Sequence, residues 1–426
     1  MRMSEPMPKK NGRYASFGFS VMRQVLGIFA VFAVVAVVIA GVDYFGRGGG
    51  QGQIVAQSPA TETAPAAPVC QVMDKASLAP ASGVLFGVNL DSRARSLEGY
   101  AFDLGRKPAV SVSFAPFPYG EEDQRDLERE VIQIRAHGQM MLLTLNPDAG
   151  LAGVTAETAN ALAFDLARFN SDGVPVIVRF APDMNGSWYS WGQQPASYIA
   201  AFRTIAAAVH EHAPGSATMW APSYGGGYPY TGGKFEAKSG TPDFSALDTN
   251  ADGALNENDD PYAPYYPGDD AVDWVGLALF HWGNAIPWGE NEVPEPGKFA
   301  AQLTGNYIGI NGDDSPVPDF YQVYGVAHAK PVAVPETAAM FAPNAGGEGE
   351  LAIKQAWWGQ VFDPATAAQF PQLKMINWFE WDRDETEVGA RVDWTVNKTP
   401  AIREAFKAAL PDWLRYGPAQ SCSPRG

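Results

Sequence analysis

Eight short runs rich in apolar and β-branched residues recur along the chain, spaced so that a helix fits after each. They are VLFGVNL (84–90), AVSVSF (109–114), QMMLLTL (139–145), VPVIVRF (174–180), SATMWAP (216–222), AVDWVGLALF (271–280), KPVAVP (330–335) and LKMINWF (373–379). Between them lie EEDQRDLEREVIQIRAHG, TAETANALAFDLARFN, PASYIAAFRTIAAAVHEHA and GELAIKQAWWGQVF, and TPAIREAFKAAL follows the last. In these segments apolar residues return every three or four positions, the spacing of a helix buried along one face. Strands apolar throughout, alternating with such helices, specify an α/β fold with a parallel sheet covered on the outside, and eight units specify a (β/α)8 TIM barrel. The first unit is the weakest, because DSRARSLEGYAFDLG is a poor helix. A doubly wound open sheet is the competing arrangement, disfavoured because no glycine-rich phosphate loop follows the first strand.

Outside these units the chain changes character. Residues 25–42, VLGIFAVFAVVAVVIAGV, carry no charge and follow Arg2, Lys9, Lys10, Arg13 and Arg23. This length spans a bilayer, and the basic flank places residues 1–24 in the cytoplasm, as a transmembrane signal anchor would. A cleavable signal peptide is the alternative, with IAGVDYF a poor cleavage site. Residues 43–69, rich in Gly, Ala, Pro and Thr, form a flexible linker, and residues 70–422 the barrel domain, which then lies in the periplasm or outside the cell. The two cysteines, Cys70 and Cys422, stand at the edges of that domain and would form a disulfide in an oxidising compartment. The net charge of −17 disfavours nucleic acid and suits a neutral or cationic partner.

The barrel pattern converts sequence position into geometry, since chemistry sits at the carboxyl ends of barrel strands. Asp183 follows the fourth strand by three residues and Glu336 follows the seventh by one, so both carboxylates face the same mouth. A facing pair of carboxylates is what glycoside hydrolysis requires: one protonates the leaving oxygen, and the other attacks the anomeric carbon or activates water. Trp188, Trp191, Trp220, Tyr224, Trp282 and Trp378 lie at or just beyond strand ends, where their rings could stack on sugar faces. Tyr189, Tyr228, Trp288 and Trp381 share that placement, and about half of all these aromatics are expected to pack in the core instead. Arg179 at the end of the fourth strand could hold a neighbouring carboxylate charged through charge-assisted hydrogen bonds, and His281 could bond sugar hydroxyls. No pattern calls for an organic cofactor.

RFAPDMNGSWYSWG (179–192), YYPGDDAVDWVGL before the sixth strand, KPVAVPE on the seventh, and FPQLKMINWFEW with the later DWT stand in that order. These blocks resemble glycoside hydrolase family 26, chiefly endo-β-1,4-mannanases and relatives acting on other β-glycans, over roughly residues 84–411. The resemblance implies that Glu336 is the nucleophile of a retaining mechanism, Asp183 the acid/base, and Arg179, Asn185 and Trp188 subsite residues. Three departures accompany it: the family's acid/base glutamate is Asp183, the histidine before it is Pro182, and the strand-six tyrosine is Phe280. A retaining pair lies about 5–5.5 Å apart and an inverting pair about 6.5–9.5 Å. Losing one methylene opens the pair, so weak activity, inversion and a binding-only site all stay open. The leading expectation is an envelope enzyme cutting a β-linked polysaccharide within the chain, in contact with exopolysaccharide synthesis or export machinery. The alternative is a catalytically impaired polysaccharide-binding protein.

One loop has a separate chemistry. DTNADGALNEND (248–259) places oxygen donors at positions one, three, five, nine and twelve, with glycine at six, as an EF-hand loop does, except that position twelve is Asp rather than Glu. Asp248, Asn250, Asp252, Asn256, Asp259 and the Ala254 carbonyl are therefore expected to hold a structural Ca2+, pinning part of a long connection between the fifth and sixth strands.

Overall fold

The computed structural model describes residues 70–285, 288–310, 312, 314–418 and 423–424. The expected anchor (25–42), the linker (43–69) and Cys422 lie outside these. Among the described residues no helix is long and apolar enough to cross a membrane.

The eight expected strands form. They are β1 (Val84–Leu90), β2 (Val110–Pro116), β3 (Met140–Asn146), β4 (Val176–Phe180), β5 (Ser216–Trp220), β6 (Trp274–Gly276, resuming at Leu279–His281), β7 (Val332–Ala339) and β8 (Leu373–Glu380). Each pairs in parallel with its sequence neighbours, and β8 pairs with both β7 and β1, which closes the sheet into a barrel. Sequential parallel neighbours need a crossover, and helices supply it. The helices are α1 (Leu97–Leu104), α2 (Glu121–His137), α3 (Ala156–Ser171), α4 (Pro195–His212), α5 (Pro242–Leu247), α6 (Lys298–Leu303), α7 (Glu350–Val361), α8 (Pro364–Gln369) and α9 (Pro400–Ala409).

The weak first unit does contain a helix. Ser96 Oγ accepts from the Gly99 amide at its start, and Gly105, with φ of 74°, ends it by donating to the Phe102 carbonyl. Caps at both ends offset the irregular apolar spacing. Beyond β8 the chain adds a hairpin, β9 (Asp382–Glu385) and β10 (Ala390–Asp393), whose turn spans residues 386–389.

Strand residues alternate between two apolar layers. Leu85, Val112, Leu142, Ile177, Met219, Trp274 and Met375 fill the barrel interior, joined by Val72 and Leu78 from the segment before β1. Phe86, Val88, Leu143, Val178, Trp220, Ile376 and Trp378 belong to the layer between strands and helices.

The two-residue strand Cys70–Gln71 pairs antiparallel with Ser423–Pro424, setting Cys70 opposite Pro424.

Candidate active site at the barrel mouth

Arg179 is the next-to-last residue of β4, 1% exposed, and its guanidinium stands among the inward residues of the barrel. Immediately afterwards the backbone turns through Ala181 (φ 45°) and Asp183 (φ 58°). Left-handed geometry in two non-glycine residues costs about 1–3 kcal/mol each, and Asp tolerates it better than most. The turn is braced from several sides. Trp191 Nε1 donates to the Pro182 carbonyl at 2.8 Å, and the Asp183 amide reaches the Ala221 carbonyl at 3.3 Å. Gly186 leaves room for the Trp188 ring, which a Cβ there would meet at 2.4 Å.

Glu336 reaches the mouth by another device. Between the pairs Val334–Ile376 and Thr337–Trp378, β7 holds two residues, Pro335 and Glu336, against the single Asn377 of β8. Such a bulge re-aims a side chain, and proline, lacking an N–H, fits it without loss of a ladder bond.

The two carboxylates meet at one guanidinium. Arg179 Nη1 donates to Glu336 Oε2 at 2.6 Å, and Arg179 Nη2 lies 3.9 Å from Asp183 Oδ1. Asn89, on β1, donates from Nδ2 to Glu336 Oε1 at 2.7 Å, and Trp381 Nε1 in turn donates to Asn89 Oδ1 at 2.9 Å. Phe280 lines the same cleft and has no donor to offer, so the second hydrogen bond to Glu336 comes from β1 rather than β6. Burial pushes the Asp183 carboxyl up to about 6, with Glu336 adding to the rise, while Arg179 and the Ser223 side chain oppose it. A buried acid raised toward neutrality beside a carboxylate tied to a cation is the division of labour that acid catalysis uses.

Asp183 and Glu336 open into a cleft of about 1100 Å³, part of it open to solvent. Trp188, Tyr224, Trp282 and Trp288 line it as expected, joined by Tyr230 and Tyr307. Arg179, which lies behind the two carboxylates, and five other expected contact residues do not line it. Trp220 and Trp378 are fully buried in the layer outside the barrel, Trp220 against Phe320 and Tyr324 and Trp378 against Phe362 and Phe406. Each sits one position past an inward residue, Met219 and Asn377, and alternation turns it away from the mouth. Trp191 lies beneath the Asp183 turn, stacked on Tyr189 with centroids 4.3 Å apart. His281 is 1% exposed and pairs through Nε2 with the Glu292 carbonyl at 2.7 Å; burial, aided by Lys298, pulls it down to about 3. Asn185 is likewise buried and exchanges two 2.9 Å hydrogen bonds with the Ser223 backbone. It positions Ser223 beside Asp183.

Asn89, Ser223, Lys298 and Glu387 were not expected at the site. The only prior sign of Asn89 was a polar residue in an otherwise apolar strand end, GVNL.

The acidic loop closes on its own backbone. Asp248 accepts from the Asp252 and Gly253 amides, Asp252 from Ala254, and Asp259 from Thr249 and Asn256. Among the described residues no group of three or more His, Cys, Asp or Glu side chains is gathered to hold a metal ion.

A closed eight-stranded parallel barrel with acids beyond β4 and on β7, opening into an aromatic cleft, defines a (β/α)8 fold with a candidate two-carboxylate site at its mouth. Solved structures of that fold are similar to it. A Cellulomonas fimi endo-beta-1,4-mannanase double mutant matches with a TM-score of 0.51 at 16% identity, over 83% of this chain and 78% of its own. The catalytic domain of a Bacillus sp. JAMB-750 GH26 endo-beta-1,4-mannanase matches with a TM-score of 0.50 at 15% identity, over 83% and 96%. At these identities the likeness is one of fold. No family profile matches the sequence, and no curated protein does.

Proposed function

We propose that this chain is a glycoside hydrolase that cuts a β-linked polysaccharide within its length, by the two-carboxylate chemistry that the sequence blocks of family 26 imply. The observation that carries the reading is the shared guanidinium of Arg179, which ties Glu336 at 2.6 Å and approaches Asp183 at 3.9 Å at the mouth of an aromatic cleft. Asp183 gives its proton to the glycosidic oxygen as the leaving chain departs. Glu336 attacks the anomeric carbon, and Asp183 then takes a proton from the water that releases the covalent intermediate. Trp188, Tyr224 and Trp282 bind the sugar rings. Glu336→Gln is expected to reduce reducing-end release from a panel of β-glycans to background while glycan binding persists; full turnover in this variant would sink the reading.

A second reading keeps the cleft and drops the chemistry. It is favoured by one feature, the short Asp183 side chain with its looser 3.9 Å approach to Arg179. Tight binding of one glycan with no cleavage by the unaltered chain would establish it.

Three further elements belong to the proposal. Residues 25–42 anchor the enzyme in a membrane with residues 1–24 cytoplasmic and the barrel outside, which their uncharged run behind five basic residues supports. There it works beside exopolysaccharide synthesis or export machinery. A Cys70–Cys422 disulfide ties the domain ends, supported by the pairing of Cys70 with Pro424. Ca2+ occupies the 248–259 loop through its Asp, Asn and carbonyl oxygens, supported by the donor spacing and by the left-handed turn at Gly253 (φ 85°).

A further inference from the structure

A third carboxylate stands in the same cleft without a task. The turn between β9 and β10 brings Glu387 to the cleft wall, alongside Trp282, Asn284 and Trp288. Its Oε1 is buried and accepts no hydrogen bond. Among the described residues the cations beside the cleft are matched: Arg179 with Glu336, Lys298 with Glu295, and Arg383 with Glu385. Asp314 adds another acid to the lining. Four more polar atoms of cleft residues have no hydrogen-bond partner: Oδ1 of Asp183, a residue 8% exposed, Asn284 Oδ1, Gln302 Oε1 and Trp188 Nε1.

Those observations set the chemistry of the ligand that the cleft fits. An aromatic cleft calls for sugar rings, while open acceptors and surplus negative charge, on a chain of net charge −17, draw in cations and raise their local concentration. A neutral glycan leaves the Glu387 acceptor facing only hydroxyls, whereas an ammonium group meets it with a charge-assisted hydrogen bond. The aromatic walls add cation–π attraction for the same group. Burial is the main cause that pushes the Glu387 carboxyl up to about 7, with Glu385 adding to the rise and Arg383 opposing it, so a bound cation offsets a cost already present.

We propose that the cleft takes a polysaccharide bearing free amino groups, as a partly N-deacetylated amino-sugar polymer does, and that Glu387 receives the ammonium group of the bound sugar. This rests on the glycosidase reading and names its substrate class.

The test compares three polymers on the full chain: a partly deacetylated β-linked amino-sugar polymer, its fully N-acetylated form, and β-mannan, with binding and reducing-end release measured at low and high salt. The deacetylated polymer is expected to bind about tenfold or more tightly than the others at low salt, the size of one charge-assisted hydrogen bond, and to lose most of that margin at high salt. Glu387→Gln is expected to remove the margin. Equal binding of all three polymers, or a margin that Glu387→Gln leaves intact, overturns the proposal. The salt dependence is read on the unaltered chain, so the test stands even if the variant misfolds. Failure of the enzyme reading has a different signature. Salt-sensitive, Glu387-dependent binding without reducing-end release removes the hydrolase and leaves amino recognition in place, and cleavage of mannan alone does the reverse.

Discussion

Asp183 carries the sharpest consequence at the scale of single residues. With its carboxyl at about 6 it must be protonated to act as an acid, so activity is expected to fall as pH rises through that value. A pH profile of kcat/KM checks this: Asp183→Asn should lower activity and erase the alkaline limb, and a limb that survives the substitution assigns it to another group. In the proposed reaction Asn89 is a positioning residue, acting through Glu336. Asn89→Ala is expected to lower kcat by about tenfold to a hundredfold with little change in KM, the effect of misplacing a reacting group by about an ångström. The tryptophans separate by location. Trp188→Ala should raise KM and leave the melting temperature nearly unchanged. Trp220→Ala should destabilise by about 3–5 kcal/mol in chemical denaturation, because it empties a packed site against Phe320 and Tyr324.

Elements set where those residues point. The bulge at Pro335–Glu336 was not visible in KPVAVPE, because an extra residue in one strand is defined only against its partner, here Asn377. The left-handed turn at Asp183 was hidden for a related reason: Asp in a turn adopts many geometries, and the bracing from Trp191 and Ala221 selects one. The parity of the aromatics was the least legible feature. In a strand buried on both faces the apolar pattern is continuous and does not say which side is inward, so Trp220 and Trp378 read as cleft residues until Met219 and Asn377 are seen to occupy the interior side. The 248–259 loop makes its prediction at this scale. Chelation is expected to lower the melting temperature and added Ca2+ to restore it, since a ligand bound only by the folded loop stabilises by mass action. Superimposable melting curves would remove calcium from the account.

For the whole molecule, burial couples stability to pH. Glu380, at the end of β8, accepts from the Val396 and Asn397 amides and the Tyr100 hydroxyl, and burial pushes its carboxyl from 4.5 up to about 7. A raised acid is favoured protonated in the fold. Its contribution is full below the unfolded value and is lost as pH rises through about 7. Glu380→Gln, neutral at every pH, is expected to gain stability relative to the unaltered chain between about pH 5 and 8. A constant difference in melting temperature over that range would remove Glu380 from the pH response.

The amino-acid sequence by itself determined the number of strands, their order, and the strand ends that carry Arg179, Asp183 and Glu336, because apolar periodicity and chain order are local properties that a parallel barrel translates directly into position. RFAPDMNGSWYSWG and KPVAVPE already named the two carboxylates. Tertiary structure alone decided which tryptophans face the cleft and which face helices, that Asn89 on the first strand holds the carboxylate of the seventh, and that a hairpin after the last strand sets Glu387 in the cleft. Asn89 and Glu336 are 247 positions apart, and only closure of the sheet brings them within 2.7 Å.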